Sequence, residues 1–460
     1  MADYLDTLAD FAANFATDEL PDRVSAHTKL IMADTFGAIV GGSVEPEVRA
    51  LADNLCAGPK EPGGSATVLG IGKTADPATA ALINGAAGTF LEMDEGNGPA
   101  MGHPAIHTIP ATFAAAEKYH LSGRDFVTAV AIGYEIGGRI GGAARLRGEM
   151  HPHGTWGTIC AAVGVGRVLC FDAGQMRAVI NIASNLCLAT SRPTMLQGAT
   201  VRNAYAGISG QMGHLSCNLV RAGFTGEQDG IANVYGNVVS TNFDPAGAIK
   251  DLGDDWIVAR NYFKLHACCR YNHGALDALA EITQAHSQVG PETVDNIARI
   301  DIASYDLAAE LDDQAPDNML AGKFSVPFAV ATTLINGTSD VEAFTLDMVR
   351  TEAIQNLTKR VFITEDPAMT AQRSDLEARP ASLKITMRDG QTFEASNQIN
   401  RGSPSDPYSA DELRRKYNSL TARAWSAADA AAVHNIIMGL DELGGVATLQ
   451  AVLRQADQNV

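Results

Sequence analysis

The sequence is short of positive charge. It carries 34 Lys and Arg against 53 Asp and Glu, a formal net charge of −19. Nucleic acid and anionic membranes both need a basic face, so neither is expected as a partner. A small anionic substrate stays open, provided that its pocket is cationic. Cysteine is sparse too: seven residues, no CxxC, several of them in apolar stretches. That pattern fits buried free thiols in a reducing cytoplasm and argues against a disulfide framework. No uninterrupted apolar run reaches ~20 residues, so no spanning helix is expected. The opening MADYLDTLADF is acidic and amphipathic, unlike a signal peptide. GxxxxGK[ST], a strand-borne GxGxxG and GxSxG are all missing; GIGK at 70–73 is a fragment, and GISGQMG does not match. Nucleotide binding and a hydrolase nucleophile elbow therefore lack support.

What is present suits a globular enzyme-sized chain of 460 residues, 46% apolar and 19% charged, with two or three structural units. Glycine is plentiful, 44 residues, often beside alanine (GAIVGG, NGAAG, IGGRIGGAA), which predicts close helix-on-helix packing. Residues 1–245 read as helical and apolar on more than one side, as inside a bundle. Asp76-Pro77 is a good N-cap followed by a first-turn proline; the helix that it opens should end near Asp94. Pro104 can open the next helix, which Pro110 should kink or delay. After about residue 290 the texture changes. ARIDIAS (298–304) and VFITED (361–366) read as strands, and SLKITMRDGQTFEASN (382–397) as a hairpin with a type I′ turn at Asp389-Gly390. Ser409 and Glu412 form a capping box for a helix that leads back to the bundle.

The stretch LEMDEGNGPAMGHPAIHTIP (91–110) draws most attention. If one helix ends near Asp94 and the next opens at Pro104, His103 stands at an N-cap position. A helix N-terminus welcomes an anion, and Asp94 is placed to orient or activate His103 for proton transfer beside a carboxylate. The plain alternative is local capping with a loop histidine. A metal site is the weaker reading: His103 and His107 are four apart, and His151 and His153 two apart, but HExxH is absent. Arg202 leads a Gly/Ala-rich helix and has the geometry to fork onto a carboxylate. KLHACCRYNHGALDA offers Lys264, Cys268, Cys269, Arg270 and His273. The paired cysteines lack a Cys–His–Asn setting, which leaves His273 as the better candidate.

Taken together these clusters resemble the MmgE/PrpD family, which includes 2-methylcitrate dehydratase, cis-aconitate decarboxylase and iminodisuccinate epimerase. The likeness runs over most of the chain and rests on five segments in order: NGAAGTFLEMDEG…GHPAIHTIPATFAAAE, HPHGTWGTICAAVGVGRVL, Arg202 through GFTG, KLHACCRYNHGALDA and GKFSVPFAVATTLING. The resemblance implies a mainly α fold, with a large all-helical domain built from both chain ends (1–265 and 405–460) and an α+β lid domain (266–404). It implies an active site between the two, a homodimer, and no metal or organic cofactor. Catalytic roles fall on Asp94, His103 and His273. Arg202, Lys264, His151 and Thr155 fall on the substrate-binding side. The chain also departs from the pattern. Arg202 stands where the decarboxylase and epimerase branches have lysine, Phe328 where some members have tyrosine, and LEMDEGN where many have an aspartate run followed by threonine.

The expected function is a hydro-lyase working on a small di- or tricarboxylate by proton abstraction next to a carboxylate. Arg202 and Lys264 would hold carboxylates, with His103 and His273 on opposite sides of the reacting carbon. Epimerisation comes second and decarboxylation third. Outside enzymes, a helical carboxylate-binding protein would use the same pocket.

Overall fold

The computed structural model describes residues 3–56 and 66–458. The first half is largely helical: α1 (Asp22–Gly42), α2 (Pro77–Phe90), α3 (Pro104–Tyr119), α4 (Gly123–Ala143), α5 (Gly157–Val168) and α6 (Val201–Arg221). Asp76 caps α2 by accepting from the Ala78 and Thr79 N–H groups at 3.0 and 3.2 Å. The helix stops at Phe90, short of the expected Asp94, because Glu92 adopts φ +57°, a left-handed conformation that cannot continue an α-helix. Helix α3 opens at Pro104 as expected and runs through Pro110 without delay. The small residues act as the composition implied. A Cβ on Gly207 would lie 2.0 Å from the Leu82 carbonyl oxygen, so α2 and α6 meet backbone to backbone.

The C-terminal half is mixed. Helix α7 (His273–Ala285) packs on the sheet formed by β1 (Ile297–Ser304), β2 (Val361–Glu365), β3 (Ala378–Met387) and β4 (Thr392–Ile399). The strand order is β4-β3-β1-β2. β1 runs parallel to β2, with Ile300 opposite Val361, and antiparallel to β3. Helix α8 (Val326–Asn336) starts on a Ser325 cap and ends on Gly337 at φ +67°. The β3–β4 hairpin forms, but its turn is not type I′. Asp389 keeps a negative φ, only Gly390 is left-handed (φ +89°), and the Gly390 N–H bonds to the Met387 carbonyl at 3.0 Å. The connection is a type I turn closed by a left-handed glycine, the longer-loop alternative to a two-residue turn. The Ser409/Glu412 capping box opens α9 (Ala410–Thr421).

Two apolar cores result. One runs from Leu5 to Phe263 and resumes from Tyr408 to Ala456. The other gathers residues from Ala267 to Met387, and also takes Leu91, Met93 and Leu420. Phe90 belongs to the first core and Leu91 to the second, so the turn after α2 is pinned where the cores meet. Among the described residues no helix is long and apolar enough to cross a membrane.

Candidate active site

The turn after α2 is held by three buried lysines from distant parts of the chain. Lys323 donates to the Phe90 carbonyl at 3.0 Å, Lys264 to that of Glu92 at 3.1 Å, and Lys416 to that of Met93 at 2.7 Å. A helix C-terminus leaves carbonyls without partners and carries partial negative charge, and both features favour cations. The left-handed Glu92 then turns its carboxylate onto Arg202 and, at 3.7 Å, Lys264. Lys264 also lies 3.5 Å from Asp94 Oδ1. All four side chains are buried. Burial alone would raise the Asp94 carboxyl, but Lys264 and His103 hold it well below the ordinary range, so it is ionised. Burial alone would lower Lys264, yet Asp94 and Glu92 hold it raised, so it stays charged.

His103 stands at the α3 N-cap position, as its place before Pro104 implied, but it does not cap the helix. Its Nδ1–H donates to the Glu95 carbonyl at 2.6 Å, with Asp94 Oδ2 3.1 Å away on the same side. The Nε2 lone pair is thereby left for the cavity that the ring lines. The acidic group at the helix N-terminus is the protein's own: Glu95 Oε1 accepts from the Ala105 N–H at 2.9 Å, and Tyr134 donates to Oε2 at 3.0 Å. Burial pushes the Glu95 carboxyl up to about 8.

The cavity, about 120 Å³, is walled by Glu92, His103, His151, His153, Arg202 and Tyr262 on one side and by Tyr305, Phe324 and Arg379 on the other. Of the seven site residues read from sequence, His103, His151 and Arg202 reach this wall, while Asp94 and Lys264 stand behind it. Thr155 is buried elsewhere, its hydroxyl donating to the Pro152 carbonyl at 2.6 Å. His273 is outside the wall as well. Its Nδ1 faces the Arg270 guanidinium at 3.1 Å, and its Nε2 faces the Cys268 carbonyl at 3.3 Å. Burial, then the neighbouring His266 and Arg270, push that imidazole far down, so it is neutral. Its visible effect is to position Arg270, which lines the cavity and stacks on Tyr262 at 4.6 Å.

The charge pattern differs from the one expected. Arg202 and Lys264 are already matched by Glu92 and Asp94. Arg270 and Arg379 line the same cavity, and among the described residues neither has a carboxylate within ion-pair distance. Sequence spacing missed Arg379 because it lies on β3, remote in the chain, with no local motif. Phe328 is packed in the second core, and the phenols at the cavity are Tyr262, Tyr271 and Tyr305. One metal-type group assembles among the described residues, with Asp94, His103 and His153 offering atoms within 4.8 Å of one another. Asp94 lies on the Nδ1 side of His103, and that nitrogen is engaged by the Glu95 carbonyl, so an ion held there would have to displace the Nδ1 proton.

The chain is mainly helical with a small mixed sheet, and a carboxylate-backed histidine lines a cavity together with arginines. Residues 6–246 match the MmgE/PrpD N-terminal domain and residues 266–442 the MmgE/PrpD C-terminal domain. The chain belongs to the MmgE/PrpD family of enzymes. It is similar to a cis-aconitate decarboxylase of Aspergillus terreus, at 23% identity over 97% of this chain and 95% of that protein. The human cis-aconitate decarboxylase is 23% identical over 95% of this chain and 91% of its own length, and the mouse one 22% over 82% and 78%.

Proposed function

We propose that this enzyme is a lyase that moves a proton at the carbon next to a carboxylate of a small di- or tricarboxylate. The observation that carries the reading is the His103 imidazole, bound inward at Nδ1 by Glu95 and Asp94 and presenting Nε2 to the cavity. The ionised Asp94 stabilises the imidazolium that forms when Nε2 takes the carbon proton. The electron pair left on carbon spreads into the adjacent carboxylate, where added negative charge needs fixed cations; in dehydration it then forms the new double bond as the C–O bond on the next carbon breaks and the hydroxyl leaves as water with a proton from solvent. Arg379 and Arg270 supply charge that no carboxylate among the described residues has claimed, and Arg202 adds to the field beside Glu92.

Loss of water is the first reading, because Arg202 replaces the lysine of the decarboxylase and epimerase branches. Loss of carbon dioxide is the second, favoured by similarity along the full length to proteins named cis-aconitate decarboxylase. Epimerisation needs bases on both faces of one carbon, and His273, the residue expected on the second face, is sealed behind Arg270.

The test is incubation with cis-aconitate, citrate and malate in D₂O, followed by NMR and by carbon dioxide capture. Wild type should place deuterium on a carbon beside a carboxylate, and His103→Asn should lower that rate by about 10²–10⁴-fold. Hydration or dehydration without carbon dioxide selects the first reading, and carbon dioxide release the second. A His103→Asn variant as fast as wild type would sink both.

A further inference from the structure

The histidines around His103 differ in how their ring nitrogens are used. His107 donates from Nδ1 to the His103 carbonyl at 2.8 Å and accepts at Nε2 from the Gly154 N–H at 3.3 Å. His151 accepts at Nδ1 from the His153 N–H at 3.1 Å. Both nitrogens of His273 face partners. His153 alone in this group has neither nitrogen hydrogen-bonded, although the residue is only 1% exposed. Buried polar atoms almost always have partners, and exceptions mark functional groups or ligand contacts.

The ring is also fixed in place. Its centroid lies 4.7 Å from that of His103, 5.2 Å from His107 and 5.1 Å from His151, each pair tilted, and the ring lines the cavity. Its backbone is anchored by the bond to His151, and the next residue, Gly154 at φ +87°, by the bond to His107. A Cβ on Gly154 would lie 2.8 Å from Thr190, so the loop has little room to shift. Burial, then the positive charge of Arg202, holds the imidazole far below its ordinary value, so it is neutral. A neutral imidazole offers one N–H and no charge. It suits a substrate oxygen that gains negative charge during reaction better than a carboxylate already charged.

We infer that His153 is a further catalytic residue: its N–H bonds the substrate oxygen on which charge develops as His103 Nε2 takes the carbon proton. This rests on the lyase reading above. No bond to His153 forms or breaks; the proton goes from carbon to His103, and the electron pair goes to the carboxylate that His153 touches.

The experiment compares wild type with His153→Phe, which keeps a ring without nitrogen, and His153→Gln, which keeps an N–H donor. Each protein is first checked for an unchanged thermal midpoint, then assayed for deuterium exchange and turnover on cis-aconitate and citrate, and titrated with cis-aconitate by calorimetry. The expected result is a kcat about 10²-fold lower for His153→Phe with KM within about threefold, and partial recovery in His153→Gln. A His153→Phe variant that keeps a third or more of the wild-type rate overturns the inference and leaves the lyase reading standing. So does stoichiometric zinc binding that His153→Phe abolishes, since His153 is then a metal ligand. A wild type that exchanges no carbon proton in any acid tested overturns the lyase reading. In that case, equal cis-aconitate affinity in wild type and His153→Phe overturns the contact as well.

Discussion

Single residues in this site act mainly through what burial does to their charge. Glu95 is the sharpest case. Burial is the largest influence and outweighs its bonds to Ala105 and Tyr134, lifting the carboxyl from 4.5 to about 8. The folded state therefore holds its proton more tightly than the unfolded chain does. Below the unfolded value both states are protonated and no stability is lost. As pH rises through the interval up to about 8, the unfolded state ionises first and stability falls; above it the loss is constant. A Glu95→Gln variant keeps an oxygen for the Ala105 N–H and cannot ionise. Urea unfolding from about pH 5 to about pH 9 should show wild type losing roughly a few kcal/mol relative to Glu95→Gln, with the gap widening with pH. Parallel curves would mean that Glu95 is not neutral in the fold. Some of this site is readable at the residue scale without a structure. Asp94 and His103 sit close in sequence, and a proline after His103 marks a helix start. The use of Glu95 as the carboxyl at that start is not readable, because three acids share the segment and only tertiary burial separates them.

Elements were the most legible level. Asp76-Pro77 and Ser409 with Glu412 place helix starts where the chain has them, since caps are local hydrogen bonds. Period-two alternation places β1, β2 and the β3–β4 hairpin for the same reason. Two errors share a cause. The end of α2 and the turn at Asp389-Gly390 both hinge on one residue's choice of φ, and local composition does not settle that choice. Close packing of α2 on α6 leads to a direct prediction. Gly207→Ala puts a methyl group 2.0 Å from the Leu82 carbonyl oxygen, whereas Gly148 has nothing within 4 Å of an added Cβ. Gly207→Ala should cost about 1–3 kcal/mol or more, seen as a lower thermal midpoint or insoluble protein, with Gly148→Ala close to wild type. Equal midpoints would show that the two helices can separate without loss.

For the molecule as a whole, the puzzle is a chain of net charge −19 built to hold an anion. The charge is resolved by position. Two cations near the site are matched by Glu92 and Asp94, and Arg379, brought by β3 of the second core, has no matching carboxylate among the described residues. The cavity lining then draws on both halves of the fold. Arg379→Ala should raise KM for the polycarboxylate substrate about tenfold or more while kcat stays within about threefold, because the charge pair forms on binding and persists through the reaction. Steady-state kinetics on purified protein decides this, and an unchanged KM would remove Arg379 from the binding site.

By itself the sequence determined the helical first half, the mixed unit after it, the exclusion of a basic nucleic-acid surface, and the Asp94–His103 pairing across one short loop. Those are consequences of composition, periodicity and neighbours a few residues apart. The tertiary structure alone decided that Lys264, Lys323 and Lys416 converge on one turn, that Glu92 meets Arg202, and that His273 faces inward while His153 faces the cavity. Each of these is a choice between partners far apart in the chain. It is settled by the cost of burying a charge or a ring nitrogen, and that cost exists only once the two cores have closed around the site.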